Sequence, residues 1–226
     1  MQTSPISPTP QRADGSAKRG FERAVLTGVL NAVSAVNDQV LEALTECARS
    51  ESAEFPLDAS LRSRVAGLTP DVRQRAARCG VFLADTNLVD FACWREVALE
   101  GKSTRSIELL QPWLPMEESR SLANSVLLVA WHLIHANPAL ARVLLGMSTS
   151  GIGDFRELGV ADLAHIARRH PEWVRPRWAH RLDLWTAVVG GTSGGGGEDP
   201  RSLTLRCLKA SARDLKWLSA YVALSP

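Results

Sequence analysis

Between Leu122 and Ile134 the chain is apolar almost without a break, LANSVLLVAWHLI. Leu122, Val126, Leu127, Val129, Ala130, Leu133 and Ile134 cover most of the circumference of a helix predicted over 117–136. A helix apolar nearly all round must be covered by several neighbours or by a subunit interface. Leu122, Val126, Leu127, Ala130, Leu133 and Ile134 are therefore expected to form an oligomer or partner interface. The run is too short to cross a bilayer. No uninterrupted apolar run of about 18 residues occurs, so no membrane span is expected.

Local stop and start signals follow at once. Asn137-Pro138 ends the helix, and Pro138 suits the first turn of the next, Ala139 to Leu145. Gly146 stands where a left-handed cap residue belongs. Ser148 or Thr149 can cap a third helix from Gly151 to Glu157, with Ile152 and Phe155 inward. After Leu158-Gly159 a fourth helix starts at Val160, with Leu163, Ile166 and Ala167 on one face. Short helices joined by tight turns outline a helix-turn-helix-like unit.

The remainder supports the same class. Residues 1–19 carry Ser-Pro and Thr-Pro steps and too little apolar surface to order, so a disordered tail is expected. From Phe21 onward, Val25, Leu26, Val29, Leu30, Val33, Val36, Val40, Leu41 and Leu44 recur at helical steps. That stripe packs on its own domain or serves as a dimer or partner seam. Pro56 breaks the pattern, and Thr69-Pro70 starts another helix whose Arg73, Arg75 and Arg78 form a solvated basic face. Gly190 to Pro200 has linker composition. It tethers a terminal amphipathic helix whose face is read as Leu205, Leu208, Ala212, Leu215 and Leu218.

The predicted fold class is all-α: a multi-helix bundle with a helix-turn-helix-like unit, a disordered N-terminus and a Gly-rich tether to a C-terminal helix. The expected divisions are a tail (1–19), an N-terminal helical region (20–116), a central helical domain (117–189), a linker (190–200) and the terminal helix (201–226).

Over about residues 127–168 the chain resembles the D subunit of the bacterial flagellar master transcriptional activator, the FlhD family. Val129-Ala130-Trp131-His132-Leu133-Ile134 resembles that family's Leu-Ala-x-x-Leu-Ile, with valine for leucine. Leu145-Gly146-Met147 matches its Leu-Gly-hydrophobic step. Phe155, Leu158 and Val160 fill the apolar places after the polar turn, and Leu163, Ile166 and Ala167 those of the last helix. The resemblance implies an all-helical dimer that partners a zinc-bearing C subunit to activate flagellar genes, and the chain is accordingly expected to be a homo-oligomer that acts on DNA, directly or through a partner subunit.

An independent signal lies in Arg168, Arg169, Arg175, Arg177 and Arg181, interleaved with Trp173 and Trp178. Arginine forks suit phosphate oxygens, which supply most sequence-independent affinity for nucleic acid. These five are the candidate DNA-binding residues. The competing reading makes the tryptophans core anchors and the arginines a solvated surface. Pro171 and Pro176 are expected to hold the segment in a defined non-helical path.

Composition restrains the alternatives. The net charge is only +2, too mild to indicate a nucleic-acid binder by itself. Cys47, Cys79, Cys93 and Cys207 include no Cys-x-x-Cys pair, and their spacing favours free buried thiols. His132 with His135, and His165 with His170, offer two-histidine ends, but without carboxylates at ligand spacing no metal is expected. Gly190 to Gly197 lacks the Lys-Ser/Thr of a phosphate loop, and no nucleophile motif appears. No cofactor is expected, the chain reads as a non-enzyme, and a cytoplasmic location is expected from the lack of a signal-like start. The functional expectation is a DNA-associated transcriptional regulator of flagellar type. The alternative is a helical protein–protein interaction adaptor that never touches nucleic acid.

Overall fold

A computed structural model describes the backbone of residues 14–50, 54–85, 112–190 and 200–224, and side chains over 24–50, 54–85, 112–190 and 201–213. The described residues are mostly helical, as an all-α chain requires. In order they are α1 (Asp14–Arg49), α2 (Arg62–Ala66), α3 (Pro70–Ala77), α4 (Met116–Ala136), α5 (Pro138–Leu145), α6 (Thr149–Arg156), α7 (Val160–Arg169), α8 (Leu182–Gly190) and α9 (Pro200–Leu224). Two residues, Ala84–Asp85 (β1), pair antiparallel with Arg175–Pro176 (β2).

The helix α1 begins at Asp14, inside the segment expected to be a disordered tail. Its 36 residues span about 54 Å at 1.5 Å per residue. Val33, Val36, Val40, Leu41 and Leu44 are buried from one helical stripe, as the periodicity predicts. Leu26 and Leu30 belong to the same sequence pattern yet are 43% and 37% exposed. Pro70 starts α3 as predicted, and Arg73 of its basic face is not simply solvated. It lies 2.8 Å from Asp38 and 3.1 Å from Glu42, tying α3 to α1.

One continuous core draws on every described part of the chain, from Val29 to Ala210. At its centre lies α4, which packs against α1, α5, α6 and α7. Leu122, Val126, Leu127, Ala130, Leu133 and Ile134 are all buried within the chain. The interface expected there is thus corrected: intrachain helices cover this surface. An all-round apolar helix demands cover, and pattern alone does not say whether that cover comes from the same chain.

The turns around α5 to α7 follow local chemistry. Asn137 caps α5 by accepting from the Leu140 amide, and Gly146 ends it at φ +72°. Ser148 accepts from the Gly151 amide at 3.0 Å to cap α6. At the start of α7 the Asp162 carboxylate accepts from the Gly159 amide at 2.8 Å. Each satisfies a backbone group that a helix end leaves without an intrahelical partner.

Gly28 presents a different case. It lies within exposed α1, and an added Cβ meets nothing within 4 Å. Gly28→Ala is expected to raise the unfolding free energy by about 0.5–1 kcal/mol in urea melts, because alanine has less backbone freedom to lose.

Candidate functional site

The arginine-rich segment leaves α7 at His170 and does not form one exposed basic face. Pro171–Trp173 makes a single 3-10 turn, Arg175–Pro176 forms β2, and Trp178 takes φ 54°. This is the defined non-helical path that the two prolines imply. Trp173 and Trp178 are both buried. The His170 ring stacks on Trp173 at 4.2 Å, and its Nδ1 lies 3.2 Å from Glu172. The indole of Trp113 adds a tie by donating to the Val174 carbonyl at 2.9 Å.

Arg177 requires a correction. It is 4% exposed, so in this fold it offers nothing to a nucleic acid. Its guanidinium donates to the Leu144 carbonyl at 2.8 Å and to the Ser211 hydroxyl at 2.8 Å. It also lies over the Trp178 ring at 4.3 Å. The Leu144 carbonyl belongs to the last turn of α5, where carbonyls lack helix partners and the helix dipole is negative. Its backbone is held as firmly: the Arg177 amide donates to Leu83 O at 2.7 Å, and its carbonyl accepts from Trp185 Nε1 at 2.9 Å. A Cβ on Gly146 would overlap the guanidinium, so the bare glycine makes room for it.

The other four candidates separate. Arg168 and Arg169 are exposed at the end of α7. Arg175 is half-buried in β2. Arg181 binds Asp183 through two hydrogen bonds of 2.9 Å, which hold that carboxyl down at about 2. The five arginines therefore divide into one core residue, one ion pair, one strand residue and an exposed pair.

The C-terminal helix holds residues that the sequence reading missed. The face of α9 that packs inward is Leu203, Cys207, Ala210 and Ser211. The predicted face is corrected accordingly: Leu205 is 57% exposed and Ala212 is exposed. Leu215 and Leu218 lie outside the described side chains. A small-residue face allows close approach. Thr204 abuts Gly80, where a Cβ would fall 2.9 Å from its methyl. Ser211 links Arg177 to the Val143 carbonyl, donating to the latter at 2.8 Å.

Asn37 is the second missed residue. Fully buried in the valine stripe of α1, it donates to the carbonyls of Ala77 at 3.0 Å and Val81 at 2.7 Å. Its own carbonyl accepts from the Leu83 amide at 2.9 Å. It thereby fixes the chain between α3 and β1.

Chemistry beyond packing is sparse. Among the described residues no group of three or more His, Cys, Asp or Glu is placed to hold a metal. His132, His135 and His165 are exposed, and His135 stacks on Trp131 at 4.1 Å. A cleft of about 430 Å³ between α1 and the start of α4 is lined by Glu46, Cys47, Glu54, Trp113 and Glu118. Burial pushes the Cys47 thiol up, away from reactivity. One described helix, Ala24–Arg49, is long and apolar enough to span a membrane by composition, although from Val29 onward it contributes to the protein core. Cys93 lies outside the described residues. Searches of known protein families, of characterised proteins and of solved structures find no match to this chain.

Proposed function

We propose that this protein is a helical protein–protein interaction adaptor that self-associates through the first half of α1. The observation that carries the proposal is Leu26 and Leu30, exposed at 43% and 37% on a helix that continues well before its buried stripe. Most helical stability in a protein comes from tertiary packing of an apolar face, and an undocked extension of about 15 residues lacks that support. The stretch of α1 preceding Val29 is of that size, and between Ala24 and Gly28 no described side chain is buried. Packing against the same stretch of a second copy would cover Leu26 and Leu30 with a self-complementary two-fold seam.

Sedimentation of the full chain over a range of concentrations tests this. Association is expected in the unaltered chain. The double variant Leu26→Glu, Leu30→Glu should remain monomeric with unchanged helix content. A chain that stays monomeric at high concentration sinks the proposal.

The regulator reading rests on Arg168 and Arg169, exposed at the end of α7, and on the short helices α5 to α7 as a helix-turn-helix-like unit. With three of the five arginines engaged in the fold, the adaptor is the better-supported reading. Duplex titration at low salt should show no binding. Binding whose salt slope falls when Arg168 and Arg169 become alanine would instead favour a DNA-associated regulator of flagellar type. Repeating the titration with a flagellar activator C subunit tests contact made only through that partner.

A further inference from the structure

The geometry points to Cys79 and Cys207 as a disulfide-forming site that latches the C-terminal helix α9 to the segment between α3 and β1, with a low-molecular-weight disulfide as the oxidant. The pair is separated by most of the chain but brought together by the fold. Cys79 is 1% exposed and Cys207 is 0% exposed. Both are free thiols. One turn before Cys207, Thr204 rests on Gly80, the neighbour of Cys79, so α9 meets this segment along its small-residue face. Cys207 is the neighbour that acts most strongly on the Cys79 thiol, which also reaches the Val81 carbonyl at 3.4 Å.

The docked pair is protected. The neighbouring Cys207 thiol, together with burial, pushes the Cys79 thiol well up, so little thiolate exists there at neutral pH. Reaction therefore waits on α9 lifting away. Once it lifts, one cysteine thiolate attacks the small disulfide, forming a mixed disulfide and releasing one small thiolate. Before α9 settles back into place, the second cysteine thiolate attacks the protein sulfur of that mixed disulfide and displaces the second small thiolate. Two protein thiols lose two electrons and two protons, and one disulfide becomes two thiols. The bond closes a very long loop, which restricts the unfolded chain strongly. This site is separate from the α1 seam and does not depend on it.

The experiment treats the full chain with excess glutathione disulfide under native conditions. Remaining thiols are then blocked and the peptides mapped by mass spectrometry. A Cys79–Cys207 cross-linked peptide is expected, together with a rise of several degrees in melting temperature that reductant reverses. Ser211→Ala, which removes one tie of α9, should speed cross-linking several-fold. Cys207→Ser should abolish both the cross-link and the thermal shift. Recovery of Cys79 and Cys207 unmodified, or only as mixed disulfides, overturns the inference. So does a thermal shift that survives Cys207→Ser, which would assign it to Cys47 or Cys93.

Discussion

Replacing Arg177 with alanine should lower the unfolding free energy by about 3–4 kcal/mol in urea melts at neutral pH. The side chain is buried and donates to Leu144 O and the Ser211 hydroxyl. Hydrogen bonds from a charged donor contribute about 1.5–3 kcal/mol each, and their loss leaves the Leu144 carbonyl at the end of α5 with the long Phe82 amide contact at 3.4 Å. The stacking on Trp178 is lost as well. Arg177→Lys should recover less than half of the deficit, because an ammonium on a flexible stem cannot reproduce the planar fork. Gly146→Ala should cost about 2–3 kcal/mol by the same route: a side chain is strained at φ +72°, and its Cβ displaces the guanidinium. Arg169→Ala, an exposed change, should stay within about 0.5 kcal/mol.

This series also separates two roles. A phosphate-contacting arginine would lose binding with stability intact, whereas a core arginine loses stability first. If Arg177→Ala melts like Arg169→Ala, the guanidinium does not form this buried network in solution.

What the sequence makes legible is what neighbouring residues decide. Asn137 before Pro138, Gly146 after Leu145 and Ser148 before the next helix are cap chemistry, set by backbone groups a few residues away. Those boundaries appear in the structure where the residues place them. The apolar circumference of Leu122 to Ile134 likewise announces burial. It does not announce the occupant of the surrounding space, since an isoleucine packed on α7 and one packed on a partner read identically.

The remainder depends on distant contacts. Arg177 sits in a run of arginines, prolines and tryptophans that looks solvated. Its burial requires Leu144 and Ser211, 33 and 34 residues away. Apart from Leu203, the inner face of α9 is made of Cys207, Ala210 and Ser211, too small and too polar to stand out beside Leu205 and Leu208. Their value lies in letting α9 come close, so that Thr204 meets Gly80 and Ser211 meets Arg177, which a hydrophobic tally ignores.

Asn37 carries the second large effect. Asn37→Ala should lower the unfolding free energy by about 3 kcal/mol, since three backbone groups, Ala77 O, Val81 O and Leu83 N, lose a buried partner at once. Asn37→Leu should cost at least as much, because its side chain also denies those groups a replacement water. Asn37→Asp gives the sharper test. A carboxylate there would face the carbonyls of Ala77 and Val81 while buried among apolar neighbours. Its folded-state pKa should be raised above the unfolded value of about 3.9. The folded state then binds the extra proton, so the variant is nearest to the parent below that value and falls behind as pH rises toward the folded pKa. Urea melts between acid and neutral pH should show the gap between Asn37→Asp and the parent widening with pH, while the gap for Asn37→Ala stays flat. A flat gap for Asn37→Asp would mean that the carboxylate reaches water, and that residue 37 does not hold the chain between α3 and β1 in the way these distances describe.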